Sequence, residues 1–387
     1  MALPLSYNLR NVFVRWRATL TTILGVALVV AVYVCVQALA VGLQKASGST
    51  GDPRNLMIVR RGSVAESGSM ITREQFNAIQ FRPEIARDAA EQPLISADSV
   101  IVLNLPRGGG EGEANVSLRG VSANGFALRP QVTLIAGRWF VAGKREVVIS
   151  RRLAARFARM NVGDSFKIGS RELTVVGWFD AGGSAFDSEA WMDANEARSL
   201  FNRENYSSLL LRPLDENAGA RLAAELEKDK RLTVRVLRET AYYKEQTKTA
   251  APIRILGDFL ATMMSIGAVF AAMNTMYASV GARTREIGTL RVLGFRRRAV
   301  LMGFLLEGAL LAAVGGALGC LFALPMNGYS TGTVSFETFS ETVFQFRITP
   351  WLALKGMIFA VCVGVLGSLL PALRASRLPV IGALKSV

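Results

Sequence analysis

RTREIGTLRVLGFRRR, residues 283–298, stands between two long apolar runs and packs six arginines and one acid into sixteen positions. Ile287, Leu290 and Leu293 recur within it at three-residue intervals, so it reads as a short basic helix with one apolar edge. Its place decides the fold. A stretch this charged cannot continue the apolar runs on either side, so those runs are separate elements and 283–298 is the link that turns the chain from one to the next.

Working outward, no charged residue occurs between Arg17 and Lys45, and further apolar runs cover 258–279, 299 to about 324, and about 351 to 373. Each approaches or exceeds the roughly 20 residues a helix needs to cross a bilayer. Ala38-Leu39-Ala40 resembles a leader cleavage site, but the apolar stretch before it is longer than the roughly 7–15 residues of a leader, so it is expected to stay as a span. Four spans put the segment before the first, the 283–298 link and the tail on one side. There they carry Arg10, Arg15, Arg17, the six link arginines, Arg374, Arg377 and Lys385 against the single acid Glu286. That bias predicts a membrane protein with both termini cytoplasmic. It accounts for most of the +15 net charge as topology and attraction to anionic membrane lipid, and no nucleic acid is expected as a partner.

The segment 45–252 falls on the other side with 30 basic and 25 acidic residues, an ordinary mix for a soluble surface. Alternating and helical patterns predict an α+β domain there, with strands near 54–60, 99–105, 207–211 and 232–237 and helices over 72–80 and 217–228. A β-rich insertion is expected over about 115–200, and a polar, helix-prone stalk over about 238–252 leading into the second span. The chain thus divides into 1–44, 45–252 and 253–387.

Enzyme classes find little support. The sequence has no histidine, and Cys35, Cys320 and Cys362 all lie in apolar runs, which argues against a zinc site or a histidine-dependent triad. Gly108-Gly109-Gly110 lacks the Gly-Lys-Ser/Thr helix start of a phosphate loop, so no nucleotide-binding motif is read in these 387 residues.

Arg285-Glu286-Ile287-Gly288-x-Leu290-Arg291-x-Leu293-Gly294 resembles the signature of the MacB/FtsX/LolC-type ABC transporter permeases. Asn8-Leu9-Arg10, Gly303 to Gly308 with Gly315-Gly316, Gly137-Arg138-Trp139-Phe140, and Pro371-Ala372 through Pro379 are similar to other parts of that family. Leu378 and Gly382 depart from it where acids are usual. The resemblance implies a mechanotransmission permease, with ATP and Mg bound by a separate cytoplasmic ATPase dimer and no cofactor or catalytic residue in this chain. It also implies a second permease copy or paralogue and a periplasmic adaptor.

On this reading 283–294 is a coupling helix. Ile287, Leu290 and Leu293 would enter a groove on the ATPase, Arg283, Arg285, Glu286 and Arg291 would orient it at the rim, and Gly288 and Gly294 would allow close contact and a C-cap. The bland alternative is a basic loop that only fixes topology. Within the membrane, Glu307 lies about nine residues past Arg298 and Asn274 eight before Ala282, which places them at similar depth as candidate partners. Three functions compete: export or extraction of a lipid, lipoprotein, peptide or drug; an FtsX-like switch for a cell-wall hydrolase; and a membrane receptor without ATPase.

Overall fold

The computed structural model describes residues 16–110, 112–246, 251–334 and 340–378. The motif parts at Asn8–Arg10 and from Pro379 onward lie outside them, as does the middle of the expected stalk, 247–250. The chain forms two compact units: a helical unit of 1–41, 252–329 and 346–387, and an α/β unit of 42–251 and 330–345.

Among the described residues, five helices build the helical unit: α1 (Trp16–Gly48), α2 (Ala251–Ala282), α3 (Thr284–Val292), α4 (Arg297–Ala323) and α5 (Pro350–Ser376). All except α3 are long and apolar enough to cross a membrane, over 19–46, 255–282, 297–326 and 350–376. The four expected spans are therefore present. α5 starts with Thr349 accepting the Leu352 N–H at 3.1 Å and Pro350 in its first turn, the residue types whose geometry favours a helix start.

Close packing within this unit rests on two glycine edges of α4. A methyl added at Gly308 would lie 2.6 Å from the Ser368 hydroxyl, and one at Gly316 would lie 2.6 Å from Ala360, so this edge receives α5. A methyl at Gly315 or Gly319 would strike the backbone oxygen of Ile23 or Ala27, at 2.8 and 2.6 Å, so the second edge receives α1. Small residues at four-residue spacing let helix backbones approach where lipid offers no hydrophobic drive to association. α1 answers with Val26, Val30, Val34 and Ala38, all buried.

In the α/β unit, ten strands form one sheet in the order β10-β1-β9-β2-β3-β8-β5-β7-β4, with β6 on β7. They are β1 (Leu56–Arg60), β2 (Ile95–Pro106), β3 (Glu113–Val121), β4 (Thr133–Gly137), β5 (Glu146–Ser150), β6 (Ser165–Ile168), β7 (Arg171–Asp180), β8 (Glu189–Asp193), β9 (Ser208–Leu211) and β10 (Val234–Arg238). The helices Arg73–Gln80 and Glu216–Lys228 cover the β1, β9 and β10 side, burying Ile79, Leu222 and Leu226 against Ile58 and Leu209. Thr72 and Gln75 close the first of these with a reciprocal capping box.

Strand β2 joins the two halves. Its residues 95–98 pair with β9 and its residues 99–106 pair with β3. The insertion therefore begins at Ser99 and not near 115, because β3 needs β2 as its ladder partner. The stalk also needs correction. Residues Glu239–Gln246 are helical, but Tyr242 and Tyr243 are buried in a core cluster with Met57, Phe186 and Trp191, so this helix belongs to the domain.

Two groups of charge sit inside the α/β unit. Arg119 gives bidentate bonds to Glu66 (2.8 and 2.9 Å) and to Glu189 (2.8 and 2.7 Å), and Arg129 pairs with Asp98; all five are buried. Glu239 accepts the Asp52 N–H and the Asn55 amide at 2.8 and 2.9 Å on one oxygen. The second group involves a hairpin absent from the sequence reading, β11 (Ser330–Val334) with β12 (Glu341–Gln345), which follows α4 in the chain. Val343 joins the core beside Leu103 and Val116 and donates its N–H to Ser188 at 2.7 Å. Buried Glu341 accepts from Arg107 at 2.8 Å and also from Arg156.

Candidate coupling site

α3 is a helix of nine residues between α2 and α4. It ends in a Schellman turn: the Phe295 N–H bonds the Leu290 carbonyl at 3.1 Å and the Gly294 N–H bonds the Arg291 carbonyl at 3.2 Å. Gly294 has φ +93°, a left-handed conformation that glycine adopts without steric cost, so its expected place at the helix end holds.

The three apolar residues do not share one edge. Ile287 is buried among Met276, Val280, Val300 and Phe304, Leu290 is half-buried, and Leu293 is 68 % exposed. A helix turns about 100° per residue, so a three-residue step falls short of a full turn and the row winds about 120° from Ile287 to Leu293. The spacing thus divides its members. Ile287 and Gly288 anchor α3 to its own bundle, while Val292 and Leu293 face outward beside the exposed Arg296, Arg297 and Arg298. Arg285 and Glu286 are exposed, and Arg291 is half-buried, giving one N–H to the Phe295 carbonyl at 3.4 Å.

Arg283 is not a rim residue. It is the N-cap of α3, is 4 % exposed, and holds Glu307 of α4 with both guanidinium nitrogens at 2.8 and 3.1 Å. Glu307, 5 % exposed, therefore pairs with Arg283 and not with Asn274, which lies on the exposed face of α2. The depth argument matched distance along the two helices but not their faces, since Asn274 is exposed and Glu307 is buried. A partial signal was available, a lone acid within the third span opposite a link rich in arginine.

Beside the ion pair is a cavity of about 80 Å³ whose wall includes Thr22, Thr275, Ser279 and Ser368. No cluster of three or more potential metal-ligating side chains occurs among the described residues. The arrangement holds a short helix rigidly and presents its C-terminal end.

The MacB-like periplasmic core domain family matches residues 19–229, and the FtsX-like permease C-terminal family matches residues 259–380. The chain belongs to the MacB-like ABC transporter permeases. It is 29 % identical over 238 residues to the macrolide export ATP-binding/permease protein MacB of Hahella chejuensis, covering 58 % of this chain and 35 % of that protein. It is 27 % identical to the uncharacterized ABC transporter permease YknZ of Bacillus subtilis, covering 71 % of each. With MacB of Pasteurella multocida it shares 25 % identity, over 95 % of this chain and 57 % of that one. The chain thus spans about a third to somewhat over two thirds of the length of these relatives. The periplasmic region of MacB from Actinobacillus actinomycetemcomitans aligns with 49 % of this chain at 14 % identity and a TM-score of 0.38.

Proposed function

We propose that this permease converts ATP hydrolysis by a separate cytoplasmic ATPase into movement of its extracytoplasmic domain, serving export or extraction of a lipid, lipoprotein, peptide or drug. One observation carries the reading. α3 is fixed at its start by the buried Arg283–Glu307 pair and by Ile287, is closed by a Schellman turn, and leaves Val292 and Leu293 exposed within a basic rim. A loop that only set topology would need the arginines but neither the anchoring nor the cap. The rigid piece is built to pass force from a protein docked on its outer end into α2 and α4, as shear of packed helices does.

The arginine bias supports a cytoplasmic α3 and cytoplasmic termini, with the 42–251 domain in the periplasm. Two ATPase and two permease subunits, with an adaptor on the periplasmic side, complete the assembly. The chain itself supplies no catalytic group.

The test is a comparison of docking variants in the full-length permease purified from its own cells. Leu293→Asp is expected to abolish copurified ATPase activity while leaving the permease folded, because an unpaired charge would enter an apolar contact at a cost of about 2–7 kcal/mol. Arg297→Ala should leave most of the activity bound. Full ATPase copurification with Leu293→Asp, together with its loss in Arg297→Ala, would reduce α3 to a topology anchor.

A further inference from the structure

We propose that the cavity enclosed by α1, α2, α4 and α5 receives the head of an uncharged amphiphile that carries hydroxyl and ester oxygens, as a monoacylglycerol does. This goes beyond the proposed function, because a ligand held inside one helical bundle need not be the cargo.

The place of the cavity follows from the spans. Thr19 and Thr22 lie in the first turn of the span 19–46, and Ser279 lies in the last turn of the span 255–282. These positions are where hydrocarbon gives way to lipid head groups. All three residues are half-buried, whereas Glu307, Gly308, Ala312, Gly364 and Ser368 behind them are buried. The cavity therefore opens between α1 and α2 and is closed by α4 and α5. Its volume of about 80 Å³ is several times the roughly 10–15 Å³ that one water requires.

Two chemistries meet inside it. Val26, Ala272, Met276 and Leu311 give an apolar wall that suits a hydrocarbon chain. Arg283 and Glu307 give a polar one. Their ion pair spends one N–H on each terminal guanidinium nitrogen, and a guanidinium has further donors, while each Glu307 oxygen keeps a lone pair. Ser279 adds a hydroxyl that makes no hydrogen bond among the described residues. An ester carbonyl can accept from the guanidinium, and a hydroxyl can donate to the carboxylate.

Charge decides between head groups. The ion pair is already neutral, so an anion or a cation would either leave a net charge in an apolar bundle or break the pair, and both are costly. An uncharged head does neither. Water alone would meet the polar wall, yet it would also lie against the apolar one, where it finds no partner. Arg283 is in addition the N-cap of α3, so an occupant touches the residue that anchors that helix.

The experiment uses the full-length permease in detergent micelles, with Cys35, Cys320 and Cys362 changed to alanine and one reporter added, Thr22→Cys or Ser279→Cys. The probes are monooleoylglycerol, methyl oleate, which lacks the hydroxyls, and ionised oleate. Saturating monooleoylglycerol should slow alkylation of both reporters by N-ethylmaleimide about tenfold, and the other two probes by less than about twofold. A cysteine placed by Thr262→Cys on the exposed face of α2 should react at one rate throughout. With Arg283→Met and Glu307→Leu combined, monooleoylglycerol should lose its advantage over methyl oleate. The proposal is overturned if no probe protects either reporter, which leaves a cavity holding water only. It is equally overturned if methyl oleate or oleate protects as well as monooleoylglycerol, or if the preference survives in the double variant.

Discussion

Glu307 and Arg283 meet as a bidentate ion pair, 2.8 and 3.1 Å, buried on both sides between the start of α3 and α4. The pair makes the turn after α2 a fixed corner. Removing either partner strands a charge in an apolar bundle, whereas replacing both removes the problem altogether.

Glu307→Gln and Arg283→Leu should each destabilise the helical bundle by about 3–5 kcal/mol, whereas the double replacement Arg283→Met with Glu307→Leu should recover most of that loss. Thermal unfolding of the detergent-solubilised chain reads this directly. Single variants as stable as the native chain would place the two charges in water.

Glu66 and Glu239 should respond to pH in opposite directions. Burial alone would push the Glu66 carboxyl up, but the Arg119 guanidinium beside it outweighs that and holds it below its ordinary value of 4.5. Its contribution is therefore present above about pH 4.5 and is lost as pH falls through the lower folded value. For Glu239 burial is the larger effect and raises the carboxyl above 4.5 despite Arg129 nearby, so the folded state takes up its proton first. That stabilisation is present below about pH 4.5 and is lost as pH rises through the raised value, leaving a buried charge at neutrality. Gln at 239 can keep both the Asp52 and Asn55 bonds on one oxygen. Glu239→Gln should thus equal or exceed the native stability at pH 7, while Glu66→Gln should lose about 3 kcal/mol there and less in acid. Melting curves from pH 3.5 to 8 separate the two.

Glu341→Ala should leave Arg107 and Arg156 facing each other without their shared carboxylate. Both arginines keep some contact with water, which limits the loss to about 1–3 kcal/mol. Amide exchange should speed up across 341–345 and at Val343 in particular, with the helical spans unchanged. Unaltered exchange there would show that Val343 alone holds the hairpin.

Gly319→Leu should force α1 from α4, since even a methyl would lie 2.6 Å from the Ala27 carbonyl oxygen. Overpacking of this kind typically costs about 1–3 kcal/mol. Gly267→Ala, with nothing within 4 Å in its own chain, should leave the monomer's stability unchanged.

The four spans were legible because length and lack of charge are signals along the chain itself, and the strands of the α/β unit because alternation is too. Gly294 at the end of α3 was equally local. What escaped needed a neighbour. The burial of Ile287 depended on Met276, Val280, Val300 and Phe304 of the flanking helices, and the Arg283–Glu307 pair on which face of α4 turns inward. The hairpin 330–345 stayed hidden because Ser330-Thr331-Gly332-Thr333 has a strand pattern too weak to read without Arg107, Arg156 and Ser188 to receive it.

The membership of that hairpin in the α/β unit sets an order of events during synthesis. Val343 and Glu341 leave the ribosome roughly ninety residues after the rest of the domain ends at Ala251. At typical elongation rates the wait is about 5–20 s. Through that interval Leu103 and Val116 lack the residue that covers them, and Arg107 and Arg156 lack their acid. The domain can reach its final form only after α2, α3 and α4 have been made, so its maturation reports that three of the four spans already exist. A nascent chain that stalls in the third span would carry an unfinished, recognisably open domain, and quality-control proteases would have a place to begin.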